Sequence, residues 1–297
     1  MVRQPIFRYR VEESEALLSA ILDASGHSSA LAEGRVFVDR VRAAHEMKLV
    51  PGQLVEVYAP MVATEQPEIL ARRGGIVAVG KPPGWSTEPD RAGDQSVVVW
   101  LAEKLGLTRA QVFAGSRLDA PVSGVLLLAV DSKATQLLAR GKEQQRLRRV
   151  YLALVQGKPP ASEGSWKFPV HQKSAHSQYQ LLKTLPVPSL RHARAEHESA
   201  VSLLRLSPVT GRKHQLRLHA AHAKMPIWGD VRNGGARRFT LANGEVHELG
   251  RLMLHARSVT LVLEHGEVFQ VEASIPPDMQ RAWSRLGGFE QDFLKES

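Results

Sequence analysis

Nine residues from Val122 to Val130 form an almost continuous apolar run, interrupted only by Ser123 and Gly124, and that pattern reads as a buried strand. Pro121 bounds the run on one side. On the other, Asp131-Ser132 caps a helix that sets Ala134, Leu137 and Leu138 on one face. Further strands are expected at Ile76 to Val79, Val150 to Val155, His176 to Leu182, Ala200 to Leu206, Leu252 to Leu263 and Glu267 to Ala273. Strands in sequential runs with few helical crossovers fit the α+β class, with a largely antiparallel mixed sheet and peripheral helices. Residues 231–250, with Asn233-Gly234-Gly235 and Asn243-Gly244, read as a surface insertion or hairpin.

A chain of 297 residues, 43% of them hydrophobic, buries a sizeable core, which excludes disorder as its main state. With no cysteine, disulfides, thiolate nucleophiles and cysteine-ligated zinc or iron–sulfur sites are excluded. No apolar stretch has the length of a signal peptide core or a membrane span, so a cytoplasmic protein without membrane contact is expected. Lys and Arg number 39 against 30 Asp and Glu, a formal charge of +9, and a polyanion, nucleic acid first, is the expected partner. The charge is uneven: residues 1–65 carry seven cations and nine anions, a net of −2, which leaves +11 for the rest.

A boundary is expected at Ala63 to Arg73, where Pro67, Arg72 and Arg73 separate two apolar-patterned regions, giving a small α/β module at 1–65 and a second domain at 66–297. In the first, Glu15 to Leu22 reads as a helix with Leu17, Leu18, Ile21 and Leu22 on one face, ended by Ser25 and Gly26. Arg35 to Val38 follows Gly34, and Pro51-Gly52 turns into Leu54 to Tyr58, an alternating, half-buried strand. This order resembles a short, divergent form of the alpha-L RNA-binding module. Gly26 to Gly34 lacks the basic second helix usual there, so the module reads as an accessory.

The segment Gly115-Ser116-Arg117-Leu118-Asp119-Ala120-Pro121-Val122-Ser123-Gly124 sets one carboxylate on a loop stiffened by proline, directly before the buried strand. Arg117-Leu118-Asp119 followed by Ser123-Gly124 resembles the central motif of the RluA-type pseudouridine synthases. Further matches stand in the family's order: Val79 to Gly84 ahead of it, Arg149 to Val155 after it, then Thr210 to His219, Pro226 to Asp230 and Leu254 to Ala256. Two positions depart from the family, which usually has His before Arg-Leu-Asp and Thr before Ser-Gly, where this chain has Ser116 and Val122.

The resemblance implies an RNA pseudouridine synthase, acting on specific uridines of structured ribosomal or transfer RNA, with 66–297 as its catalytic domain. That reaction breaks the uracil N1–C1′ bond, turns the base and forms C5–C1′, so no cofactor and no metal are expected. Asp119 is the implied catalytic carboxylate, as nucleophile or as base. In a pocket that has lost water it needs an opposite charge to stay ionised, by resemblance Arg217. Tyr151 is expected to meet the uracil or sugar, and Arg117 to fill the space left by a flipped base or to pair the exposed phosphate, beside Ser116.

Phosphate contacts are expected from the basic stretches 140–149, with Arg146, Arg148 and Arg149, and 205–238, with Arg212, Lys213 and His214. His214, His219 and His222 fit no standard metal spacing. His192 and His197, with Glu196 and Glu198, read as solvated. The competing reading is a non-enzymatic RNA-binding or RNA-chaperone protein on the same scaffold, against which Asp119, Tyr151 and Arg217 stand together. A monomer is expected.

Overall fold

A computed structural model describes residues 5–12, 15–31, 36–39, 41–43, 45–58, 65–89, 96–190, 200–263 and 266–294. The chain divides into two compact units, Met1–Thr64 with Pro89–Gln95, and Glu65–Glu88 with Ser96–Ser297.

The smaller unit contains β1 (Pro5–Arg10), β2 (Ala16–Leu17), α1 (Leu18–Ala24), β3 (Val36–Val38), β4 (Val41–Arg42), β5 (Lys48–Leu49) and β6 (Leu54–Tyr58). Its main sheet has the order β1-β6-β3-β4, and β2 pairs with β5. Leu18, Leu22, Leu49, Val55 and Val57 form its core. The helix starts at Leu18 and not at Glu15, because Ala16 and Leu17 pair with Leu49 and Lys48 and the Leu18 N–H goes to the Met47 carbonyl at 3.0 Å. Leu17 is therefore exposed, outside the row of leucines the periodicity placed it in. Arg35 lies outside the described residues.

The larger unit begins with β7 (Glu68–Arg73), β8 (Ile76–Lys81), α2 (Val97–Leu105), β9 (Phe113–Ala114), β10 (Ser123–Ala129) and α3 (Ser132–Glu143). There follow β11 (Leu147–Gln156), β12 (Glu163–Trp166), β13 (Ser177–Pro186), β14 (Ser189–Leu190), β15 (Ala200–Pro208) and α4 (Gln215–His222). It ends with β16 (Arg238–Thr240), β17 (Val246–Glu248), β18 (Leu254–Val262), β19 (Val268–Glu272) and α5 (Pro277–Ser284). The main sheet runs β12-β13-β15-β11-β18-β10-β8-β7, with β19 on β18 and β9 on β10. All its strand pairs are antiparallel except β10 with β18. This is the expected α+β architecture with a mixed sheet.

The β10–β18 seam is short and close. Gly124 faces Ala256 at φ +117°, and a Cβ there would stand 2.1 Å from the Ala256 carbonyl oxygen, so only glycine fits. Beside it, Ser123 Oγ meets His255 Nδ1 at 2.9 Å. One buried cluster belongs to the β11 and β15 half, with Leu152, Leu154, Leu203, Trp228 and Trp283. Another, with Val125, Leu127, Leu138 and Leu261, belongs to the β10 half. There the Asp131 carboxylate caps α3, accepting the Ala134 N–H at 2.7 Å.

Two sequence expectations for the larger unit change. Glu68 to Arg73, read as part of a linker, is β7, which pairs with β8 and ends the order of the main sheet. Its partly solvated charges are what an edge strand carries, and they masked the pattern. The 231–250 segment does form a hairpin, β16 with β17, but it is no mere surface insertion, since Phe239 is 1% exposed and stacks on Trp228 at 4.9 Å. Among the described residues no helix is long and apolar enough to cross a membrane.

Candidate active site

The loop carrying Asp119 is held from several directions before it enters β10. Thr87 Oγ1 donates to the Leu118 carbonyl and accepts the Leu118 N–H, both at 2.9 Å. Gly84 N–H donates to the Ala120 carbonyl at 2.7 Å, and Val122 N–H closes a turn on the Asp119 carbonyl at 2.9 Å. Lys81, only 1% exposed, donates from Nζ to the carbonyls of Pro82 (3.1 Å), Trp85 (2.7 Å) and Ala120 (3.1 Å). Three acceptors match the three protons of an ammonium. Burial pushes Lys81 down to about 7, Arg251 adds to the shift and Asp119 opposes it. With the backbone on both sides of Asp119 fixed, its carboxylate is aimed rather than free.

The carboxylate meets Arg217 from α4. Arg217 Nη1 donates to Asp119 Oδ2 at 2.8 Å, while Nε and Nη2 form a fork on Asp230, at 2.8 Å to Oδ2 and 2.9 Å to Oδ1. Burial works against the guanidinium charge, but the hydrogen bonds to Asp230 and Asp119 outweigh it and raise the Arg217 pKa. Asp230 is itself buried and also accepts from Asn233 Nδ2 at 2.8 Å. The turn ahead of Arg217 is fixed by Gln215, whose buried amide donates to the His176 carbonyl and Ser177 Oγ and accepts from Thr210 Oγ1 and the Arg212 N–H.

His214 precedes α4 at φ +57°, with Nε2 3.6 Å from Asp119 Oδ2. Burial lowers its pKa, Asp119 opposes, and Arg217 and Lys213 lower it further. Tyr151, 6% exposed on β11, sits within reach of the same charges. Burial pushes its phenol up; Arg149, which hydrogen-bonds to it, works against that, and Asp119 adds to it. Arg149 also lies beside Gly211, where an added Cβ would be 3.5 Å from Nη2.

Asp119, Arg217, Tyr151, His214 and Arg149 are thus brought together. Arg117 projects outward with its side chain 67% exposed, and Glu88 is 3.8 Å away. Ser116 is half-buried in the loop, and Arg148, Arg212 and Lys213 are exposed. Arg146 is not in that group and lines a pocket with Leu137, Arg140 and Leu261. No group of three or more His, Asp or Glu suited to a metal occurs among the described residues. His192, Glu196, His197 and Glu198 lie outside the described residues.

Sequence reasoning gave no role to Lys81, Thr87 and Asp230. Lys81 and Asp230 stood inside recognised motifs, which was the available signal; nothing marked Thr87.

Residues 75–222 match the family described as RNA pseudouridylate synthase. The chain is 35% identical over 243 residues to tRNA pseudouridine synthase C of Salmonella typhimurium, covering 74% of this chain and 90% of that one. The chain belongs to the RNA pseudouridylate synthase family. An uncharacterized RNA pseudouridine synthase of Mycobacterium bovis is 30% identical over 287 residues, 88% of this chain and 89% of its own length. Human RNA pseudouridylate synthase domain containing 1 shares the fold, with a TM-score of 0.56 at 21% identity over 74% of this chain and 88% of its own. The synthase isomerises uridine in RNA to pseudouridine, on an α+β fold of the RluA type.

Proposed function

We propose that this synthase modifies a uridine in a structured transfer RNA and that Asp119 is the group acting on the sugar, by attack at C1′ or by removing a proton from the ribose. The observation that carries the assignment is the Arg217 bond to a carboxylate whose loop is pinned at Leu118 and Ala120. A carboxylate so held keeps its aim once the base excludes water, with a cation in contact. The reaction is an isomerisation: the glycosidic bond moves from N1 to C5, the C5 proton leaves, and N1 gains one. Nothing is oxidised. Tyr151, whose phenol burial keeps neutral, packs under the detached uracil and offers its hydroxyl as a hydrogen-bond donor.

Arg117, long, planar and exposed beside Asp119, takes the space left in the RNA when the uridine leaves its stack. Arg148, Arg149, Arg212, Lys213 and His214 hold phosphates near the site, with Arg146 farther out. Residues 1–65 are an accessory module. Transfer RNA is favoured over ribosomal RNA by the relatives named for it.

The test is Asp119→Asn, which keeps shape and removes the nucleophile or base. Pseudouridine formation in transfer RNA is expected to vanish while RNA affinity stays within a few-fold. Turnover near the unsubstituted rate overturns the role of Asp119. Modification of ribosomal RNA but not transfer RNA by the unsubstituted protein overturns the substrate.

A further inference from the structure

From 164 to 190 and again from 200 to 229 the sequence contains no Asp or Glu. Ordinary protein surfaces intersperse both signs, so two such stretches meeting in space need an explanation. They meet where the connection between β12 and β13 packs on α4. The Phe168 ring lies on His222, centroids 3.8 Å apart, and on His219 at 4.4 Å. His219 Nε2 is 3.2 Å from the Phe168 carbonyl, and Arg212 Nε donates to the Ser174 carbonyl at 3.0 Å.

Within that connection Val170 and Lys173 exchange backbone hydrogen bonds of 2.9 and 3.1 Å around a two-residue turn. Its central residues, His171 and Gln172, are held at φ +51° and +61°, positions that normally go to Asn and Gly. Non-glycine residues in this region carry backbone strain, and such strain persists where a surface is required in one shape. The turn presents Lys173 and His171 to solvent, and Lys167 on the same connection and His222 and Lys224 at the end of α4 are exposed as well. Among the described residues no ion pair ties down Lys167, Lys173 or Lys224.

Helix α4 connects this surface to the active site. At about 100° per residue, His219 and His222 stand roughly 200° and 140° round the helix from Arg217, so the contacts of Phe168 lie on the side of α4 away from Arg217. We infer that the β12–β13 turn and the far side of α4 form a second RNA-docking surface, gripping the phosphate backbone of the substrate beyond the target uridine. Charge complementarity selects the occupant: three unpaired lysines in an acid-free region, beside a site that takes RNA. The inference rests on RNA as substrate, and it adds a place where affinity is made without chemistry.

The test compares the unsubstituted protein with the triple variant Lys167→Gln, Lys173→Gln, Lys224→Gln, and with a charge-matched control, Lys104→Gln, Lys133→Gln, Lys158→Gln. Transfer RNA binding is measured across a potassium chloride series, and pseudouridine formation under single turnover at saturating RNA. The first variant is expected to bind about tenfold more weakly and to lose roughly two to three units of slope in log K against log salt, with the saturating rate unchanged. The control keeps both affinity and slope. An unchanged slope in the first variant, equal losses in both variants, or a fallen saturating rate with unchanged affinity each overturns the surface. If the unsubstituted protein binds RNA but forms no pseudouridine in it, the assigned reaction fails, while the binding comparison still decides the surface.

Discussion

Arg217 serves two carboxylates with one planar group: the Nε and Nη2 edge is taken by Asp230, which leaves Nη1 for Asp119. Lysine cannot divide itself in this way, being a point charge without a plane. Arg217→Ala is expected to lower kcat by on the order of a hundredfold to a thousandfold, as the loss of a preorganised electrostatic partner does. Arg217→Lys keeps part of the rate. Asp230→Asn retains the shape but weakens the fork, and since charge-assisted hydrogen bonds contribute roughly 1.5–3 kcal/mol, kcat should fall about ten- to a hundredfold with KM little changed. Steady-state kinetics on transfer RNA read all three; an Asp230→Asn enzyme with normal kcat would show that Arg217 needs no second anchor. Motif order alone made Asp119, Tyr151 and Arg217 legible. Asp230 stood in the Pro226 to Asp230 match, but nothing local marked it as a partner of Arg217; Gly229 before it, at φ +81°, passes so close to Arg251 that a Cβ there would stand 1.9 Å from the Arg251 carbonyl oxygen. Lys81 was hidden for another reason: a lysine in a sequence reads as surface charge, and only three converging carbonyls make it interior.

Among the elements, β8, β10, β11, β13, β15, β18 and β19 were all readable from apolar runs and alternation, and the cap of α3 from Asp131-Ser132. Pairing was not, since residues 132 positions apart give no local signal of their partners. The parallel seam of β10 with β18 is the clearest case, closed by Gly124 and by the Ser123 to His255 hydrogen bond. Burial pushes His255 down to about 3, with Arg251 adding to it. The sign follows from proton counting. Between about pH 6.5 and 3 the unfolded chain binds a proton that the folded one refuses, so this residue's contribution is intact above pH 6.5 and is lost as acid is added. His255→Gln removes that dependence. At pH 7 the variant should be less stable to urea, having lost a fitted buried group, and by pH 5 the gap should narrow by about 2 kcal/mol, one and a half pH units of a single proton's linkage. A gap independent of pH would mean that His255 is protonated inside the fold.

For the whole molecule, charge is the property the sequence displayed most directly, and it separates the two units. Removing residues 1–64 takes away seven cations and eight anions, which moves the formal net charge from +9 to +10. The larger unit keeps its own buried clusters, and the smaller one has a core of its own built on Leu18, Leu22 and Leu49. Since affinity for RNA follows the cations that neutralise phosphates, and each contributes about 0.9 to the slope of log K against log salt on a duplex, the truncated protein should bind RNA with a slope unchanged to within about one. Its rate at saturating RNA should be unchanged as well, because Asp119, Tyr151, Arg217 and Asp230 all belong to the larger unit. Glutamine at Arg146, Arg148 and Arg149 should by contrast flatten the slope in the full chain, by up to about three if each meets a phosphate. A truncation that lost several units of slope would put phosphate contacts on the smaller unit despite its net negative charge. In that event its cations, Arg8 and Arg10 on β1 among them, would be the ones facing the RNA.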